Sequence, residues 1–208
     1  MLRIVSFLFG RWIYKLFSFI VKYILKVKGI KVGKHFYSDS FPIIIKNKHQ
    51  SIIIGDNVTF IGTVELRTRE NGKIYIKDGC KIDSGVRIIA ANNANVNIGP
   101  NTGIGYYTVM NCGDDLTIGE KCLISGFNYF QCSNHGTKKG IPIKDQKQVY
   151  SPIFVGNDVW FGSHVSVLMG VSILDGAIIG AKAVVNKDVG ENEIFAGVPA
   201  KLISERSA

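Results

Sequence analysis

From Val155 onward an apolar residue returns at every sixth position, through Phe161, Val167, Ile173 and Ile179 to Val185. With apolar residues at about one position in three, such a run arises by chance roughly once in 700 trials. The same register reaches back in sets of three: Ile118, Ile124 and Phe130; Ile98, Ile104 and Met110; Ile76, Ile82 and Ile88; Ile54, Phe60 and Leu66. A period of six suits neither an α-helix, with 3.6 residues per turn, nor a simple meander of hairpins. It marks a solenoid in which each hexad is a short strand and a turn, three hexads close a triangular coil, and coils stack. Glycine behind the anchor, as at Gly55, Gly99, Gly156 and Gly162, frees the turn. Small residues such as Cys80, Thr102, Cys122 and Ala177 fill the corners.

The fold class this predicts is all-β: a parallel β-helix of about six coils over residues 29–190, led by an amphipathic helix at 1–28 and followed by a tail at 191–208. Successive sets of anchors are six to ten residues apart, except that Phe130 and Val155 are separated by 25. Residues 131–154 therefore form one extruded loop, and it carries a histidine, His135, near its start.

Charge separates the function classes. Of the formal +9, residues 1–28 hold six basic residues and no acid, and the loop adds Lys138, Lys139, Lys144 and Lys147 against Asp145. The rest of the chain is close to neutral, which argues against a nucleic-acid reader with a basic patch on its folded body. Four cysteines without a CxxC pair or metal-ligand spacing read as reduced core filler in a cytoplasmic protein. A metal is not expected: the four histidines, 35, 49, 135 and 164, lack a close pair at ligand spacing, which also disfavours a zinc enzyme on the same prism.

Within 1–28, Arg11, Lys15, Lys22 and Lys26 fall on one stripe of a helix, about 60° wide, and apolar residues take the remaining circumference. No apolar run reaches the 18–20 residues of a spanning helix. The segment suits a helix lying in a membrane surface with its lysines toward anionic headgroups; the alternative is that its apolar face packs on the protein itself.

The stretch "IFVGNDVWFGSHVSVLMGVSILDGAIIGAKAVVNKDVGENEIFAGVPAKLI", above all "VWFGSHV", "AVVNKDV" and "AGVPAK", resembles the left-handed β-helix acyltransferases with hexapeptide repeats, sugar O-acetyltransferases in particular. The resemblance implies the left-handed sense of the coil, acetyl-CoA as donor, a homotrimer with sites between neighbouring prisms, and no metal. It assigns the general base to His135 in "SNHG", where a histidine takes the proton of a sugar hydroxyl in a direct transfer. The donor contacts it implies are Ser163 and Ala181 for the pantetheine, Trp160 beside the thiol end, and Lys187 and Lys201 for phosphate or adenine. Candidate acceptor contacts are Asn134, Asp114, Asp115, Tyr107, Lys138 and Lys139. The acceptor expected is a hydroxyl of a bacterial surface polysaccharide: capsule, lipopolysaccharide or a sialylated glycan. Two alternatives stay open, an antibiotic O-acetyltransferase and a non-catalytic β-helix scaffold.

Overall fold

Short strands recur three to a coil, each ending on an anchor or one or two residues past it. Every anchor lies in register on the anchor of the next coil: Ile54 on Ile76, Ile76 on Ile98, Ile98 on Ile118, Ile118 on Val155, and Val155 on Ile173. All these pairings are parallel, so three flat faces of seven, nine and seven strands enclose a triangular prism. All eighteen anchors are at most 2% exposed and form one continuous core. At ~1.5–3 kcal/mol for each buried aliphatic chain, this column is what holds a slender domain together. The computed structural model describes residues 12–48 and 51–207; residues 1–11, with Arg3 and Arg11, and His49 lie outside the described residues.

There are seven coils, at residues 31–45, 52–68, 73–90, 95–112, 116–131, 153–168 and 172–185, one more than the visible anchors predict. Coil 1 keeps the six-residue register at Val32, Ser38 and Ile44, aligned with Ile54, Phe60 and Leu66. A serine at the anchor position hides it. Ser38 is fully buried with its polar groups satisfied: its hydroxyl donates to the Ser40 carbonyl at 2.6 Å, its N–H donates to Ser18 Oγ at 3.0 Å, and its carbonyl lies 3.0 Å from the same Ser18 hydroxyl. Ser18 belongs to α1 (Trp12–Val27), which covers the open end of the prism with Val21 and Leu25 joined to the core. At the opposite end the C-terminal strands extend the second face. Glu193–Ala196 stacks in parallel on Ile178–Ile179, and Lys201–Glu205 folds back antiparallel.

The corners explain the glycine spacing. Between the second and third faces one residue in each of coils 2 to 7 takes positive φ: Gly62, Gly85, Tyr107, Phe127, His164 and Lys182. Where glycine is replaced there, the side chain projects from the edge. Tyr107 stacks on Phe127 with centroids 5.3 Å apart, and Phe127 stacks on His164 at 4.8 Å. His164, a surface residue by its hexad position, is thus one rung of an aromatic ladder.

Candidate active site

The extruded segment leaves the prism as an arm. Ser133–His135 pairs antiparallel with Gln148–Tyr150, His135 opposite Gln148. Gln146 fills its middle, accepting the Lys138 N–H at 2.7 Å and donating to the Lys138 and Ile141 carbonyls. Gly136 is required there, since a Cβ would lie 2.8 Å from Gln146 Oε1. At the base of the arm the Tyr150 ring lies against Gly113, where a Cβ would come within 2.4 Å of the ring. The arm is therefore seated on the edge between the third and first faces.

Between arm and edge lies a cavity of about 460 Å³ that includes His135 and Asn134. Its walls are rich in amides: Asn92, Asn111 and Gln131 from the prism and Gln148 from the arm. Gln131 organises them. Its Oε1 accepts from Asn111 at 3.0 Å and from the Tyr129 hydroxyl at 2.6 Å, and its Nε2 donates to Ser133 Oγ at 2.8 Å, two residues before the histidine. Asn134 Oδ1 accepts the His135 N–H at 2.9 Å. Among the described residues no protein group bonds the His135 ring, so both ring nitrogens are available to a ligand. Amide side chains offer both donors and acceptors, the complement of hydroxyl-rich ligands.

Arg69 and Glu70 close one end of this cavity. Glu70 is engaged, accepting the Asn92 N–H at 2.9 Å. Arg69 is not: Arg67 and Arg87 pair with Glu65, and Arg206 with Asp158, whereas the Arg69 guanidinium meets no carboxylate among the described residues. Asn111, Gln131 and Arg69 did not emerge from the sequence. The outward amides immediately after the anchors Met110 and Phe130 were the available signal for the first two; Arg69 comes from a coil 66 residues upstream of His135, and nothing local marks it.

The remaining predicted residues separate into groups. Asp114 and Asp115 spend their carboxylates on the turn, Asp114 Oδ1 accepting the Asp115 N–H and Asp115 Oδ1 accepting from Asn95. Lys138 and Lys139 are exposed on the outer arm. Tyr107 stands in the aromatic ladder, on a different edge from His135. Trp160, 48% exposed, faces outward from the second face, and Ser163 and Ala181 follow at the ladder's edge. The coils touch closely here: a Cβ on Gly162 would lie 2.6 Å from Ala181 N. The Gly162 N–H is committed to the Ile179 carbonyl. Lys187 and Lys201 are exposed at the C-terminal end. Within one chain the donor-side residues and the His135 cavity thus occupy different edges of the prism. Among the described residues no three of His, Cys, Asp and Glu gather into a metal site.

No family model matches the sequence. Relatives do. A probable acetyltransferase of Mycobacterium tuberculosis is 31% identical over 156 residues, 74% of this chain and 50% of that protein. The putative lipopolysaccharide biosynthesis O-acetyl transferase WbbJ of Escherichia coli K12 is 28% identical over 189 residues, 88% of each chain. Among solved structures, galactoside acetyltransferase in complex with coenzyme A superposes with a TM-score of 0.56 at 28% identity, covering 66% of this chain and 64% of that one. The chain is similar to acetyltransferases in sequence and shares the β-solenoid fold of a coenzyme-A-bound one. It spans half the length of the mycobacterial relative and 88% of WbbJ.

Proposed function

We propose that this chain is an acetyl-CoA-dependent O-acetyltransferase. It acts on a hydroxyl of a bacterial surface polysaccharide or its lipid-linked precursor, in the cytoplasm at the inner face of the cell membrane. The observation that carries the reading is His135, its ring unbonded, held on an ordered arm over an amide-lined cavity. The coenzyme A bound to the similar galactoside enzyme supports the donor, and the full-length likeness to a protein named for lipopolysaccharide biosynthesis supports the acceptor class.

In this reading His135 takes the hydroxyl proton as the acceptor oxygen attacks the thioester carbonyl, then returns it to the departing sulfur. The ester C–O bond forms as the C–S bond breaks, and no acyl-enzyme intervenes. The donor lies along the edge of Trp160, Ser163 and Ala181 with its phosphates toward Lys187 and Lys201, the exposed cations at that end. Because that edge is not the one that holds His135, the complete site combines the cavity of one chain with the donor edge of the next in a homotrimer. Arg69, unpaired in the cavity, supports an acceptor with a carboxylate or phosphate.

The test is thiol release from acetyl-CoA with a panel of glycans and glycolipid precursors. His135→Ala is expected to lower kcat by about 10²–10⁴ while leaving the KM for acetyl-CoA within about twofold. A variant as fast as the parent would remove His135 from the mechanism, and a panel without turnover would leave the prism a scaffold.

A further inference from the structure

The packing of α1 leaves a problem. Placed at 100° per residue, Tyr14, Phe17, Ser18, Val21 and Leu25 span about 100° and face coil 1; the last three are buried. Phe19, Trp12, Tyr23, Leu16, Val27, Ile20 and Ile24 fill the next arc of about 140°, and all seven are exposed, Phe19 at 68% and Trp12 at 59%. The core therefore uses the smaller part of the helix's apolar surface. Soluble monomers rarely leave so wide a contiguous apolar strip uncovered.

The order of side chains across that strip says what covers it. Lys15, Lys22 and Lys26 lie together within about 40°, at one edge only. Next to them come the aromatic residues Phe19, Trp12 and Tyr23, and beyond these only the aliphatic Leu16, Val27, Ile20 and Ile24. Charge, then aromatic ring, then aliphatic chain is the succession met on passing from lipid headgroups into the acyl region. A protein pocket imposes no such sorting. The lysine edge has no acid on the helix to answer it, and the first acid in the chain, Asp39, is engaged by the Gly62 N–H, so its complement is an anionic surface. Lys22 also donates to the Gly33 carbonyl, which fixes the lysine edge relative to the prism. No helix among the described residues is long and apolar enough to cross a membrane, so α1 would lie along it.

We propose that α1 is a docking element that seats the coil 1 end of the prism in the interface of a bilayer rich in anionic lipid. Docking in this way brings the Arg69 end of the His135 cavity, which starts on coil 2, within a coil or two of the surface, at about 4.8 Å per coil. The inference rests on the helix alone and stands whether or not the acetyl-transfer reading does.

The test is co-sedimentation of the full chain with phosphatidylglycerol vesicles and with phosphatidylcholine vesicles at low and high salt. Binding to the anionic vesicles that weakens with salt and is at least tenfold stronger than to the neutral ones is expected. Phe19→Ser/Ile20→Ser, both exposed, should abolish it, and Lys15→Glu/Lys26→Glu should weaken it at least tenfold, each with unchanged circular dichroism and unchanged mass by light scattering. No binding to anionic vesicles, equal binding to neutral ones, or binding that survives Phe19→Ser/Ile20→Ser would overturn the proposal. So would a fall in assembly mass for Phe19→Ser/Ile20→Ser, since the strip would then be covered by a second copy of the chain.

Discussion

At the scale of single residues, the cavity is informative for its arginine as well as for its histidine. Arg69 shares its end of the cavity with Glu70, whose carboxylate is engaged by the Asn92 N–H, and makes no salt bridge among the described residues, so its guanidinium is an attachment point for an anion and contributes little to the folded state by itself. Arg69→Ala should therefore leave the melting temperature within a degree or two and raise the KM for an anionic acceptor about tenfold, with the KM for acetyl-CoA unchanged; steady-state kinetics in both substrates checks this. The thiols give the opposite case, residues whose chemistry is suppressed by position. Cys80, Cys112, Cys122 and Cys132 are all buried. Burial pushes Cys80 from 9.0 up to about 11, and raises Cys112 and Cys122 in the same direction. Since folding favours the protonated thiol, the stability it lends is present below pH 9 and fades as pH climbs through 11. Iodoacetamide at pH 8 should leave the native protein unmodified by mass spectrometry and add four groups once it is unfolded.

At the scale of elements, the arm shows what a period can and cannot announce. The 25-residue gap between anchors marks the excursion and its histidine, because an interruption of a strict repeat is visible on its own. That the excursion is a paired arm seated by Tyr150 on Gly113 is not visible, since Ser133, Asn134 and His135 have low strand propensity and the seating depends on tertiary contacts. Coil 1 was hidden for a related reason: Ser38 breaks the apolar code, and the polar anchor is tolerable because its hydroxyl donates to the Ser40 carbonyl while the Ser18 hydroxyl, 20 residues upstream, bonds its backbone. Trp160, Ser163 and Ala181, in contrast, lie in the most regular part of the chain, where the six-residue register fixes their positions on the prism. The seating of the arm is testable. Gly113→Ala puts a methyl group where the Tyr150 ring lies, so the arm must shift, yet the core anchors are untouched. A drop in kcat of about tenfold or more with a melting temperature lowered by only a few degrees is expected. Tyr150→Ala in the same background should not lower kcat further, because both changes unseat one contact.

At the scale of the whole molecule, the prism separates the two groups of residues that the proposed reaction would join. His135 and its cavity follow the edge between the third and first faces, whereas Trp160, Ser163 and Ala181 follow the second face and the edge after it. The core between them is filled by anchors from all three faces, so no side chain reaches across. If the site is shared between neighbours, two different defects should compensate each other. Ala181→Glu would block the proposed donor edge from an exposed position, and His135→Ala would remove the proposed base, so each variant alone should be inactive. In trimers assembled at random from equal amounts of the two, a neighbouring pair joins an intact cavity to an intact donor edge in about a quarter of interfaces. Co-expressed and co-purified, the mixture should recover about a quarter of the parent kcat per chain, with unchanged KM for acetyl-CoA at the restored sites. A site contained in one chain predicts no recovery at any mixing ratio, because every chain in the mixture then carries a defect in its own site.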